Sequence, residues 1–232
     1  MPSKRFKKAL ELVDGEKVYP LKSAVELLSK FPKAKFNETV EVAFRLGVDP
    51  KQSDQMVRGS VPLPHGSGKT VRVLVFTRDG NAAEAAKAAG AEFVGFEDMI
   101  KKCQAGWTDF DVAVATPEAM AEVRKLGKVL GPRGLMPNPK TGTVTDDTAK
   151  AVKEVKAGRI EFKVDKAGNV HVPVGKVSFA LNQIVENARS VIEAVIKARP
   201  ASVKGQFVQS CTLSATMSPP VRVDIREFLV AT

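Results

Sequence analysis

His65-Gly66-Ser67-Gly68-Lys69-Thr70-Val71-Arg72-Val73-Leu74-Val75-Phe76 is where the chain changes character. The first half is a glycine-rich linker. The second is a near-continuous apolar run, the pattern of a strand covered on both faces. The linker looks like a phosphate-binding loop, but that loop needs glycine five positions before Gly68, where Leu63 stands, and must follow a strand and open a helix. Here it precedes a strand. It reads as a flexible connection, and the strand behind it begins a separately built region.

Downstream, short strands and helices alternate. Residues 81–89 are Ala-rich and helix-prone, Phe93-Val94-Gly95 is a second strand, 97–104 a helix and Asp111 to Ala115 a third strand. Thr116-Pro117-Glu118 predicts a helix start, with Thr as cap and Pro just inside. Thr145 is expected to cap a last helix, with Asp146 and Asp147 in its first turn, Lys150, Lys153 and Lys156 behind, and Gly158 ending it. The turn Thr77-Arg78-Asp79-Gly80-Asn81 lacks the glycine pattern of dinucleotide sites. Residues 68–157 therefore form a small, Rossmann-like parallel α/β domain without that chemistry.

Between Glu122 and Asp146 this region has no acidic residue. Arg124, Lys125, Lys128, Arg133 and Lys140 fall there, and three glycines and three prolines lie in the run from Lys125 to Lys140. Pro lacks the N–H and Gly weakens regular elements, so the run predicts an irregular cationic loop suited to a polyanion.

The flanks carry longer patterns. Leu21, Ala24, Val25, Leu28 and Phe31 mark an amphipathic helix, and Val40, Val42, Phe44 and Leu46 alternate as a half-buried strand. Ile160 to Val164 and Val170 to Val174 flank Asp-Lys-Ala-Gly-Asn and predict a hairpin. Leu181 to Ile196 keeps helical spacing, with Ser178 as expected cap, and strands at 206–216 and 221–225 follow. Neither flank closes a core alone. Together, 1–67 plus 158–232 give a discontinuous, split α+β (ferredoxin-like) domain with an antiparallel sheet, two helices on one face, and 68–157 inserted. Gly66, Gly68 and Gly158 mark the expected hinge.

Composition narrows the function. The 232 residues are 44% hydrophobic, enough for real cores, and carry a net charge of +10. The insert holds 14 Lys/Arg against 12 Asp/Glu and the flanks 22 against 14, so the excess sits on the flanks. No apolar stretch is long enough for a membrane span, and the N-terminus has no apolar segment of the secretory kind. Cys103 and Cys211 are far apart and only His65 and His171 are present, so no disulfide or metal centre is expected and the compartment reads as a reducing cytoplasm. No nucleophile, base and orienter converge; the carboxylates read as helix-start or solvent-facing strand positions. A nucleic acid is the first-ranked partner.

From Gln206 to Met217 one face reads Phe207, Gln209, Cys211, Leu213, Ala215, Met217 and the other Val208, Ser210, Thr212, Ser214, Thr216. The hydroxyl row either merely suits an exposed strand or forms a platform toward ribose and phosphate. Lys33-Ala34-Lys35-Phe36 adds cations and one stacking ring. With one Trp and one Tyr, a folded RNA fits better than a single-strand stacking channel. Two rivals remain at this point, an enzyme with a nucleotide-binding insert and a nonspecific nucleic-acid binder.

Lys35-Phe36-Asn37-Glu38-Thr39-Val40-Glu41, Arg58-Gly59, Leu63-Pro64-His65-Gly66, Ala113-Val114-Ala115-Thr116-Pro117, Leu130-Gly131-Pro132-Arg133-Gly134-Leu135-Met136-Pro137-Asn138-Pro139-Lys140, Gly158-Arg159-Ile160-Glu161, His171-Val172-Pro173-Val174-Gly175 and Thr216-Met217 stand in one order. In these motifs the chain resembles the bacterial-type ribosomal protein L-one family over nearly its whole length. The resemblance implies a non-enzymatic structural constituent of the large ribosomal subunit, cytoplasmic, without cofactor, monomeric when free. It implies binding to large-subunit (23S-type) rRNA at the mobile stalk near the E site, help in releasing deacylated E-site tRNA, and repression of its own operon mRNA. The RNA-binding residues it implies are Phe36, Thr39, Ser210, Thr216, Met217 and Ser218, with Lys35, Lys166 and His171, and the hydroxyl row adds Thr212. Lys128, Arg133 and Lys140 are the expected secondary RNA or tRNA contacts. The family usually has Gly after Thr-Met, where this chain has Ser218 followed by Pro219-Pro220.

Overall fold

The computed structural model describes residues 3–229, with the side chains of Lys140 and Leu229 outside the described set. Residues pack into two compact units, Met1–Gly68 with Gly158–Thr232, and Lys69–Ala157. Before the insert come α1 (Lys4–Leu10), α2 (Leu21–Lys30), β1 (Thr39–Leu46) and β2 (Arg58–Pro62). The insert contributes β3 (Val73–Phe76), α3 (Gly80–Ala88), β4 (Phe93–Gly95), α4 (Glu97–Gln104), β5 (Val112–Ala115), the short turns α5 (Met120–Val123) and α6 (Gly127–Leu130), and α7 (Thr148–Lys156). The chain returns through β6 (Arg159–Lys163), β7 (Asn169–Lys176), α8 (Leu181–Lys197), β8 (Val208–Ala215), β9 (Val221–Arg222) and α9 (Arg226–Leu229).

The split unit is built on an antiparallel sheet of order β7-β1-β8-β9. Its apolar face gives Val40, Val42, Phe44 and Leu46 to the core, where α2 buries Leu21, Ala24, Val25 and Leu28 and α8 buries Ile184, Ala188, Val191, Ile192 and Val195. Each of the Val, Leu, Ile and Phe side chains contributes roughly 1.5–3 kcal/mol when fully buried. Both helices share this one core, so the opposite sheet face stays open. Alternation along β1 follows from the period of two that puts successive side chains on opposite faces.

The insert is a parallel sheet of order β4-β3-β5 covered on both faces: Leu74 and Phe76 enter one apolar cluster, Val73 and Val75 another.

Several expectations are corrected. Residues Arg124–Leu126 and Gly127–Leu130 are helical turns, not irregular loop, because Leu126 and Leu130 bury completely and the prolines all lie beyond them. Thr116 opens no helix directly; the chain turns through Ala119 before α5. Asp147 caps α7, accepting from the Lys150 N–H at 3.0 Å, while Thr145 accepts from the Asp147 N–H one step earlier. Ala180, not Ser178, precedes α8; its N–H is satisfied by the Gln183 side chain at 3.1 Å, and Ser178 instead accepts from Asn37. The predicted hairpin closes through Asp165 N–H to Asn169 O at 2.8 Å, but its arms part: β6 pairs with β2, and β7 with β1. On β8 the register slips opposite Arg45 and Leu46, so Val208 is buried and Gln209 exposed, the reverse of strict alternation. Among the described residues no helix is long and apolar enough to cross a membrane.

Candidate nucleic-acid interface

The open face of β7-β1-β8 is assembled in rows. Arg45 of the central strand lies between Asn169 and Ser210, Ala43 between His171 and Thr212, and Glu41 between Pro173 and Ser214. Ser210 and His171 are exposed, and Ala43 leaves a low point between taller neighbours. The Thr212 hydroxyl donates to the Ala43 carbonyl at 3.3 Å and is partly committed to the fold. Arg45 and Glu41 were missed as parts of this face, although the alternation of β1 already pointed them outward. Glu41 adds a carboxylate acceptor that suits a ribose 2′-OH rather than a phosphate.

At one end of the sheet the strands converge on a buried carboxylate. Glu38 is 5% exposed and accepts from the Ala34 N–H at 2.7 Å, the Met217 N–H at 3.0 Å and the Arg5 guanidinium at 3.3 Å. It thereby overturns the reading of the carboxylates as helix-start or solvent-facing. A charge this deep requires several donors to replace water. Its partners fix the 33–36 loop and the 216–218 turn side by side. Phe36, 54% exposed, and Met217, 52% exposed, project from them without entering the core. Met217 thus leaves the apolar face assigned to it.

Thr39 and Thr216 lock the same corner. Thr216 Oγ1 accepts from the Thr39 N–H, and the Thr216 N–H donates to the Thr39 carbonyl, both at 3.1 Å. Lys176 Nζ donates to Thr39 Oγ1 at 2.7 Å. The Ser218 hydroxyl folds back into its own turn, accepting from the Ala215 N–H at 2.8 Å. No non-glycine residue among those described has a left-handed φ, so Ser218 sits there without backbone strain.

Thr39, Thr216, Met217 and Ser218 therefore meet, with exposed Lys35 and Phe36 on the adjoining loop; Ser210, Thr212 and His171 continue along the face. Lys166 lies apart, in the turn before β7 at the other end of the strands. Lys128 and Arg133 are exposed in the insert, Arg133 donating to Thr108; the side chain of Lys140 lies outside the described set.

Beside the linker, Asn187 is completely buried. Its Oδ1 accepts from the His65 N–H at 3.1 Å, and its amide donates to the carbonyls of Gly66 at 3.0 Å and Val174 at 2.8 Å. Gly158, at φ +104°, passes so close to Gly66 that a Cβ on it would come within 2.4 Å of the Gly66 Cα, which is why Gly158 needs to be glycine, while Gly66 itself holds a left-handed φ of +69°.

Burial pushes the Cys211 thiol up to about 12 and also raises Cys103, leaving both as protonated core residues. Among the described residues no three His, Cys, Asp or Glu side chains gather as metal ligands.

The pattern of the ribosomal protein L1p/L10e family matches residues 28–219. The large ribosomal subunit protein uL1 of Persephonella marina is 58% identical over 230 residues, covering 97% of this chain and 95% of that protein.

Proposed function

The chain belongs to the ribosomal protein L1p/L10e family and is a structural, non-enzymatic constituent of the large ribosomal subunit, and from that premise we propose that the open face of β7-β1-β8 grips large-subunit rRNA. The observation that carries the reading is the corner organised by Glu38. Two large apolar side chains, Phe36 and Met217, are held exposed by a buried charge network, beside exposed Lys35 and the hydroxyl row. Exposing apolar surface on a rigid mount has little use in a free monomer. It has a clear use against bases turned out of a junction, where base–aromatic stacking contributes about 1–3 kcal/mol.

Lys33, Lys35 and Lys166 supply phosphate contacts, which give affinity without sequence information, and Ser210, Thr212, His171 and Thr39 face riboses and base edges. The split unit is thus the primary rRNA-binding domain. Exposed Lys128 and Arg133 of the insert make secondary contacts to rRNA or E-site tRNA, whose release the stalk assists. Gly66, Gly68 and Gly158, all at left-handed φ, form the hinge that lets the insert move. A messenger leader folded like the rRNA site competes for the same face and represses the operon.

Phe36→Ala and Met217→Ala test this. Each is expected to weaken binding to an rRNA stalk-junction fragment about tenfold or more, with scrambled RNA of equal length little changed. Equal losses on both RNAs would refute the reading.

A further inference from the structure

The exposed cations of α1 belong to no described ion pair. Lys4, Lys7 and Lys8 face solvent, and no carboxylate among the described residues approaches them. Lys4 stands three positions from Lys7 and four from Lys8, so these charges repel along the helix surface. A seven-residue helix cannot hold itself together in water.

It is held from outside. The Ser3 hydroxyl accepts from the Phe6 N–H at 3.2 Å and Ala9 is buried. Arg5 reaches the Glu38 carboxylate at 3.3 Å and the Met217 carbonyl at 3.4 Å. Between α1 and the 216–218 turn lies an open groove of about 430 Å³, lined by Ser3, Arg5, Phe6, Thr216, Met217 and Ser218. Glu38 binds both walls, since the same carboxylate takes the Met217 N–H. The groove is therefore set before any ligand arrives, and its size falls within the roughly 300–1,000 Å³ of small-ligand sites.

We propose that α1 is a second wall of the RNA interface. Lys4, Lys7 and Lys8 take backbone phosphates, and the groove beside Phe6 receives a nucleotide turned out of the helical stack. Charge complementarity selects the occupant: a cluster of like charges on a helix fastened by its other face fits a polyanion. Arg5 spends one donor on Glu38 and one on Met217, and its remaining N–H groups can meet a phosphate. The proposal rests on the sheet-face reading and extends it to a segment before residue 28, where the family match begins.

The test uses the full chain with two variants, Lys4→Ala/Lys7→Ala/Lys8→Ala and Phe6→Leu, against the stalk fragment and scrambled RNA across a salt series. The triple variant is expected to lose roughly 2–3 units of salt slope, while its thermal melt does not fall, because the three exposed lysines join no described ion pair or side-chain hydrogen bond. Phe6→Leu keeps apolar volume but not the ring, and is expected to lower stalk-fragment affinity at high salt while scrambled RNA is unchanged. If the native chain prefers the stalk fragment and the triple variant keeps the native affinity and slope, α1 lies outside the interface and the proposal is overturned. If the native chain shows no preference at all, the fault lies in the sheet-face reading, and the proposal falls with it.

Discussion

The insert and the split unit treat their cations differently. In the insert, Lys69 sits 2.8 Å from Asp111, Arg72 reaches both Asp109 and Asp111, Lys156 lies 2.7 Å from Glu92 and Lys125 2.7 Å from Glu122. In the split unit Arg5, Arg189 and Arg226 pair with Glu38, Glu193 and Asp224, but Lys4, Lys7, Lys8, Lys33, Lys35 and Lys166 are exposed, and none of these six joins an ion pair among the described residues. Exposed pairs stabilise a fold by only about 0–1 kcal/mol, but they neutralise charge that a phosphate would otherwise meet. Cations left unpaired on one surface are a field directed outward. The comparison teaches that an excess of +10 matters by where it is left uncompensated, not by its size.

The sharpest way to break this contrast is to separate the regions. A chain joining residues 1–67 to 158–232 should keep most rRNA affinity, while residues 69–157 alone should bind about a hundredfold more weakly. Comparable affinity of the two pieces in a filter-binding titration would abolish the distinction. Next in size, Glu38→Ala should cost about 2–3 kcal/mol in a denaturant melt, because it strips a charge-assisted partner from three donors. The surviving fold should lose its preference for the stalk fragment. Asn187→Ala removes as many hydrogen bonds, two of them to the linker and one to β7, and should cost a similar amount, yet the folded protein should keep that preference. Preference lost in both would mean that any destabilisation spoils binding.

Thr216→Ala should cost about 1 kcal/mol, since the hydroxyl holds the Thr39 N–H, and should weaken specific more than nonspecific binding. An unchanged melt would show that this bond contributes nothing. The smallest effect belongs to the insert. The Lys69 ammonium, with the Arg72 N–H and guanidinium, holds Asp111 down at about 2. A depressed folded pKa means that its stabilisation is complete above the usual carboxylate range and is lost as pH falls toward 2. Asp111→Asn should therefore flatten the acid end of the insert's stability profile; an identical acid profile would exclude that role.

Strong periodicity made most of the fold legible. The alternation of β1, the spacing of α8 and the apolar run of β3 each report a local fact, which face of an element is wet. The break between linker and strand at 65–76 likewise announced the insertion. What escaped notice depends on partners distant in sequence. Glu38 looks like one more surface acid, because two of its donors lie 33 and 179 residues away. The bulge that turns Val208 inward exists only through pairing with β1. β2 carries Gly59 and Pro62, poor strand residues, and forms because β6 offers an antiparallel partner and Pro62 ends the run. α1 is too short for its pattern to speak. At the candidate site, the residue types were readable, but their convergence on one buried carboxylate was not.

Equilibrium binding of the native chain to the rRNA stalk fragment and to scrambled RNA of equal length, each across a salt series, tests the central claim most directly. Phosphate contacts alone give a steep salt slope common to both RNAs. The account predicts that the stalk fragment keeps a large advantage at high salt, because Phe36, Met217 and the hydroxyl face read more than charge. Equal affinities that vanish together as salt rises would contradict it and leave a generic polyanion binder.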